Sequence, residues 1–261
     1  MWRLLAIALL LLGSSAGVRA ETVRFASVAV GTVPAGPEIT GWLSKPGGPG
    51  PFPAIILAHS CAGVTPHTDA RSARLVKWGY LVLVPDSFNP RGTNAVCTTP
   101  NVVTPNMRVA DVAGALDYLA TRPDVVRGRI GIIGHSHGGS TTMRSLQKPF
   151  DLKARGLRGG VAYYPGCAPA SNGAVDLPLL ILIGDKDDWT PADACRRLKP
   201  DRPEFVETVY YPNAYHSFDA QSRDRTVPGA PGKTHHLAYD PVATPDAEAR
   251  TKTFFDKHLK Q

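Results

Sequence analysis

The chain has no apolar run long enough to cross a membrane comfortably. Its longest aliphatic stretch, Leu4–Leu12, falls well short of the roughly 20 residues a spanning helix needs. It has no dense block of one charge either. Lys and Arg number 29 against 22 Asp and Glu, for a net charge of +7, and the basic residues are scattered without aromatic interleaving. That argues against a nucleic-acid partner. There is no internal repeat, no low-complexity linker and, with 4 Trp, no tryptophan-rich surface for carbohydrate. No long lid segment of the lipase kind is present. His135 and His137 form a His-x-His pair but lack an evident third ligand, so no metal is expected. No cysteine lies near residue 20, which argues against a lipid-anchored start.

What is present begins with a basic start at Arg3, the short apolar core and small residues up to Ala20. This reads as a secretory signal over residues 1–20, with a retained N-terminal anchor as the other reading. Cleavage would remove Arg3 and Arg19 and no acid, leaving a mature chain from about Glu21 with no stable membrane insertion. Export, to the periplasm or beyond, suits the four cysteines, Cys61, Cys97, Cys167 and Cys195. An even count in an oxidising compartment suggests two disulfides, and three pairings are open. A chain of 261 residues, 43% hydrophobic, suffices for one core, so residues 21–261 are expected to form one domain.

Along the chain, Val23–Val30 and Glu38–Lys45 read as an antiparallel hairpin. Pro46–Pro53 reads as a surface loop. Short apolar strands are expected at Ala54–Ala58, Tyr80–Val84, Ile130–Ile133, Gly160–Tyr164, Leu179–Ile183 and Glu207–Tyr211. Helices are expected at Asp69–Trp78, Pro105–Thr121, about Gly139–Gln147, Pro191–Leu198 and Asp246–Leu259. Gln221–Asp240, rich in Pro, Gly and charge, reads as a loop. The alternation implies an α/β fold: a mostly parallel sheet with helices on both faces. Ligands in such sheets bind beyond the carboxyl ends of the strands.

The most informative stretch is Ile130–Gly139. Its apolar run ends in Gly134-His135-Ser136-His137-Gly138, a Gly-x-Ser-x-Gly between a strand and a potential helix. That is the pattern of a nucleophile elbow, where glycines remove Cβ groups that would clash. A serine hydroxyl needs a base, and the base an orienting acid. Beyond Ser136, the acids at a strand end are Asp185, Asp187 and Asp188, and the histidine at a strand end is His216. The order serine, acid, histidine fits the α/β-hydrolase arrangement. His235 and His236, in the late loop, and His135 and His137, beside the serine, compete less well for the base. An oxyanion needs backbone donors. The N–H of His137, after the nucleophile, and the N–H of Cys61, in the loop His59–Gly63, are the candidates.

Gly184-Asp185-Lys186-Asp187-Asp188-Trp189-Thr190-Pro191 and Tyr215-His216-Ser217-Phe218 resemble the acid and histidine segments of the dienelactone hydrolase family. The elbow and the Tyr239–Phe255 tail resemble it too, so the similarity runs from about Phe52 to Leu259. The resemblance implies the α/β-hydrolase fold and selects Asp187 as the acid. It leaves Asp185 and Asp188 as capping or solvent-facing residues. The name-giving enzymes resemble this chain but carry cysteine at the elbow; Ser136 here favours ordinary ester chemistry. In an α/β-hydrolase sheet the strands preceding Cys61 and Cys97 would be neighbours, as would those preceding Cys167 and Cys195. Two disulfides, Cys61–Cys97 and Cys167–Cys195, follow, each contributing about 3–4 kcal/mol in the chain-entropy model. Arg91 and His59 are the candidate substrate-binding residues, Arg91 for a carboxylate. The expected activity is an exported serine hydrolase acting on a small ester or lactone, with no cofactor. A peptidase or acyltransferase with the same machinery is the near alternative, and a non-catalytic binding protein on the same fold a more distant one.

Overall fold

The computed structural model describes residues 20–167 and 174–261. The secretory-signal reading falls on residues 1–19 and so lies outside the described residues. The core is one eight-stranded sheet in the order β1-β2-β4-β3-β5-β6-β7-β8. Strands β1 (Glu21–Ala26) and β2 (Glu38–Ser44) pair antiparallel, and β2 pairs antiparallel with β4 (Leu81–Pro85). From there the sheet is parallel, through β3 (Phe52–Ala58), β5 (Val125–His135), β6 (Leu157–Tyr163), β7 (Leu179–Gly184) and β8 (Val206–Tyr211). This is an α/β-hydrolase fold with an N-terminal antiparallel hairpin, as the sequence implied.

The pattern explains the layers. Every residue of β4 and of β7 is buried, as strands covered on both faces must be. Successive residues point to opposite faces: in β6 a Cβ at Gly159 would meet Phe254, and one at Gly160 would meet Thr142. Phe254 belongs to α5 (Ala243–Leu259) and Thr142 to α3 (His137–Ser145), so these helices cover opposite faces. Helix α1 (Pro66–Lys77) joins α5 through Arg74 and Glu248, 2.9 Å apart. Helix α2 (Pro105–Ala120) joins α3, where Arg144 Nε donates to Asn106 Oδ1 at 2.7 Å.

Helix α2 is buried over most of its length between the sheet, α3 and the chain at the end of β1, which approaches it closely. Val28 N–H donates to the Ala110 carbonyl at 3.0 Å, and a Cβ at Gly114 would sit 1.8 Å from the Ala26 carbonyl oxygen. In an exposed helix Gly→Ala gains about 1 kcal/mol. Here Gly114→Ala is expected to lose about 3 kcal/mol by overpacking, read as a lowered denaturant midpoint. A raised midpoint would refute the close approach.

Two readings need correction. Phe52 and Pro53 belong to β3 and not to the preceding loop. The ladder with β5 shifts register between Phe52 and Ala54, which accommodates a proline that has no N–H to pair. Gln221–Asp240 is not all loop: it holds an antiparallel hairpin, β9 (Arg225–Pro228) and β10 (Thr234–Leu237). Each strand has 4 residues, too few for an alternation to register in the sequence. The hairpin is held instead from the side. Asp188 accepts from the His236 N–H at 3.1 Å, His235 stacks on Trp189 at 4.5 Å, and His236 stacks on Tyr215 at 4.1 Å. A short helix, α4 (Ala192–Arg196), follows β7.

Candidate active site

The carboxyl ends of β3, β5, β6, β7 and β8 converge on one region, and the chemically interesting side chains sit there. Strand β5 turns into α3 at Ser136, whose φ of 54° and ψ of −115° are an unusual conformation for a residue with a side chain. The turn holds because the residues two before and two after Ser136 are glycine. A Cβ at Gly134 would lie 2.0 Å from the Gly138 carbonyl oxygen, and one at Gly138 would lie 2.1 Å from that of Ala58. The Ser136 N–H donates to the Tyr163 carbonyl at 2.9 Å, fixing the turn against β6.

Three side chains from three strand ends then line up. His216 Nε2 lies 3.0 Å from Ser136 Oγ, and His216 Nδ1 lies 2.8 Å from Asp187 Oδ2. All three residues are buried. Asp187 Oδ1 accepts from the N–H groups of Trp189 (2.9 Å) and Thr190 (2.8 Å), and Oδ2 accepts from Thr190 Oγ1 (2.9 Å). The carboxylate is thus locked by the turn that follows it. Asp185 instead pairs with Arg196, and Asp188 holds the β9–β10 hairpin. The arrangement is chemically able to move a proton from the serine hydroxyl to the imidazole, with the carboxylate holding the ring's other proton.

Two clefts meet at Ser136. One, of about 240 Å³, is lined by Arg71, Tyr164, His216 and Arg225 among others. The other, of about 260 Å³, is lined by His137, Ser140, Lys233 and His235 among others. Cys61, Cys97, Ser136 and Trp189 line both. The Cys61–Cys97 disulfide therefore forms part of the wall, and a second disulfide joins Cys167 to Cys195.

The dienelactone hydrolase family model matches residues 39–259. The chain belongs to the dienelactone hydrolase family. It is a hydrolase of the ester and lactone class. A probable 2-oxo-3-(5-oxofuran-2-ylidene)propanoate lactonase of a Bradyrhizobium species is 26% identical, over 92% of this chain and 96% of that protein. A putative carboxymethylenebutenolidase of Methylorubrum extorquens is 28% identical, over 71% of this chain and 69% of that one. Among solved structures, a putative dienelactone hydrolase from Klebsiella pneumoniae superposes with a TM-score of 0.68 at 20% identity, covering 91% of this chain and 99% of that one.

In this family member, two candidate substrate-binding residues are committed elsewhere. Arg91 forms a two-pronged pair with Asp111 (2.9 and 2.8 Å), also donates to the Ser87 carbonyl, and lines neither cleft. A neighbouring carboxylate claims its fork. His59 is 1% exposed and lines neither cleft. Its Nδ1–H donates to the Ser60 carbonyl at 2.8 Å and its Nε2 accepts from the Ser87 N–H at 3.2 Å. Burial, with the Arg108 charge adding to it, holds this ring neutral. His59 thereby ties the loop of Cys61 to the end of β4.

One arginine that does line a cleft, beside Arg225, is Arg71, which sequence reasoning passed over. Its Nε and Nη2 donate to the two oxygens of Asp219, each at 2.8 Å, and Nη2 also donates to Tyr164 Oη. Tyr164 Oη donates to Asp219 at 2.6 Å, and its ring packs against His216 with centroids 4.7 Å apart. Burial pushes the Asp219 carboxyl up, but Arg71 and His135 outweigh it and hold it well below the usual range. His135, beside Ser136, faces this network from the far side of the elbow, with Nε2 3.4 Å from Asp219. Asp219 lies three residues after His216, and that spacing was the one available signal.

Proposed function

We propose that this chain is an exported serine hydrolase that cleaves a carboxylic ester or lactone through Ser136, His216 and Asp187. Ser136 Oγ attacks the carbonyl carbon while His216 Nε2 takes its proton. Asp187 keeps the ring's Nδ1 proton in place and stabilises the imidazolium that forms. The N–H groups of His137 and Cys61 receive the oxyanion; His137 begins α3, whose N-terminus adds its dipole. His216 then returns its proton to the leaving alkoxide, and the ester C–O bond breaks. In a lactone the alcohol stays tethered to the acyl group. Water, deprotonated by His216, attacks the acyl-enzyme and frees the acid and Ser136.

The observation that carries this reading is the unbroken hydrogen-bonded line from Ser136 Oγ through His216 to Asp187, at 3.0 and 2.8 Å. The two small clefts that meet at Ser136 suit the acyl and alcohol halves of a small to medium ester. The lactonase named among the relatives supports a lactone as a substrate. Export is supported by the two disulfides. No helix among the described residues is long and apolar enough to cross a membrane.

Covalent labelling tests the reading. A fluorophosphonate probe is expected to form one adduct, mapped to Ser136 by peptide mass and absent from Ser136→Ala. A folded, disulfide-intact wild type that takes up no probe would overturn it.

A further inference from the structure

Arg108 has no place in the chemistry above, yet it is costly to keep. It is the largest of the fully buried side chains, at 1% exposure. Among the described residues, no carboxylate oxygen forms an ion pair with it. Asp111, three residues on, gives both oxygens to Arg91, and Asp86 gives both of its own to the Phe88–Asn89 turn. Arg108 Nε has no hydrogen-bond partner. Burial lowers the guanidinium to about 9, against the pull of Asp111, so it stays charged at neutral pH. A buried cation without a counter-ion is destabilising unless something else uses its charge.

Its strong contact is with the elbow. Arg108 Nη1 donates to His137 Nδ1 at 2.8 Å, and the guanidinium lies over the Phe88 ring, 5.2 Å from its centroid. Because Nδ1 accepts, the His137 ring is neutral with its proton on Nε2. Burial, then the Arg108 charge, hold it so, with a pKa of about 3. The charge therefore sits behind the residue whose backbone N–H, in the reading above, meets the oxyanion.

We infer that Arg108 is a positioning residue for the oxyanion: it fixes His137 and supplies positive charge that goes unneutralised until negative charge forms on the substrate oxygen. A cation with no carboxylate paired to it in the ground state interacts more strongly with the tetrahedral intermediate than with the neutral ester. That difference is what lowers a barrier. The inference rests on the serine-hydrolase reading.

The test uses p-nitrophenyl acetate with the wild type and with Arg108→Met, Arg108→Gln and Arg108→Lys. Arg108→Met is expected to lower kcat by about 30-fold with KM within about twofold, the signature of an interaction made in the transition state. Its melting temperature is expected to be unchanged or higher, since an unpaired buried charge has been removed. Arg108→Lys is expected to recover part of kcat, and Arg108→Gln none. A purely structural role predicts the reverse: a lower melting temperature and no recovery with lysine. Should Arg108→Met not fold, equal kcat in the Gln and Lys variants would overturn the inference. A wild type that forms no adduct at Ser136 overturns the serine reading and this inference with it. A wild type that labels, beside a folded Arg108→Met that keeps its kcat, overturns this inference alone.

Discussion

Asp187→Asn is expected to leave a folded protein whose kcat on p-nitrophenyl esters is about 10⁴-fold below the wild type. Proton placement decides the outcome. Oδ1 of Asp187 accepts from two backbone N–H groups, while Oδ2 faces His216 Nδ1. An asparagine must keep its oxygen at the first position, because its NH₂ cannot face two donors. The NH₂ then points at His216 Nδ1 and turns that nitrogen into an acceptor. The ring proton moves to Nε2, which donates to Ser136 Oγ and can no longer accept from it. Thr190 Oγ1, close to both groups, can turn to receive the second amide hydrogen, so the fold tolerates the change. Asp188→Asn, whose carboxylate holds the β9–β10 hairpin, is the control and is expected to stay within about tenfold of wild type. Steady-state kinetics beside circular dichroism check both. Equal losses in the two variants would remove Asp187 from the mechanism.

The second large effect is acid lability between about pH 6.5 and pH 4. His59, His135 and His137 are all buried neutral, and burial is the first cause in each case. The His135 ring is brought down to about 4, with Arg71 adding to burial, and the His137 ring to about 3. Unfolding frees each ring to bind a proton near its ordinary pKa of about 6.5. The unfolded chain therefore carries more protons throughout this window, and stability falls as pH falls. Each ring contributes at most about 1.4 kcal/mol per pH unit, so three approach 4 kcal/mol per unit. Against a total stability of about 5–15 kcal/mol, one or two units decide whether the protein is folded. The depressed carboxylates, Asp219 among them, act in the same direction only at lower pH, because their unfolded pKa lies near 4. Denaturant melts from pH 7 to pH 4.5 read the slope. His135→Phe keeps the ring contact with Tyr163 and is expected to make the slope shallower by about one ring's share. A flat profile down to pH 5 would contradict the buried-neutral assignment.

What the sequence made legible was what is local or repeated. The elbow is written in five consecutive residues, and the parallel strands in short apolar runs that end where chemistry begins. The proposed acid and base were readable to within a choice of neighbours, because each follows a strand. The pairing of the cysteines became readable once the resemblance implied which strands lie side by side. What escaped depends on reach across the fold. Nothing in the sequence distinguishes Arg91, held by Asp111 twenty positions on, from Arg71, which meets Asp219 from a distant helix. His59 looks like a ligand in sequence because the bonds that occupy both its ring nitrogens come from backbone groups. The hairpin β9–β10 is held by contacts with Asp188, Trp189 and Tyr215, and these precede it in the chain.

That hairpin links the two sides of the site. Its Arg225, Val227 and Leu237 face one cleft, and its Ala230, Lys233 and His235 face the other. With the clefts holding the acyl and alcohol halves as proposed, tolerance for the two halves is not set by separate parts of the chain. A change within this one segment shifts preference on both sides at once. Selectivity drift in this enzyme should accordingly be correlated: variants that accept a bulkier acid will also differ in the alcohol they release.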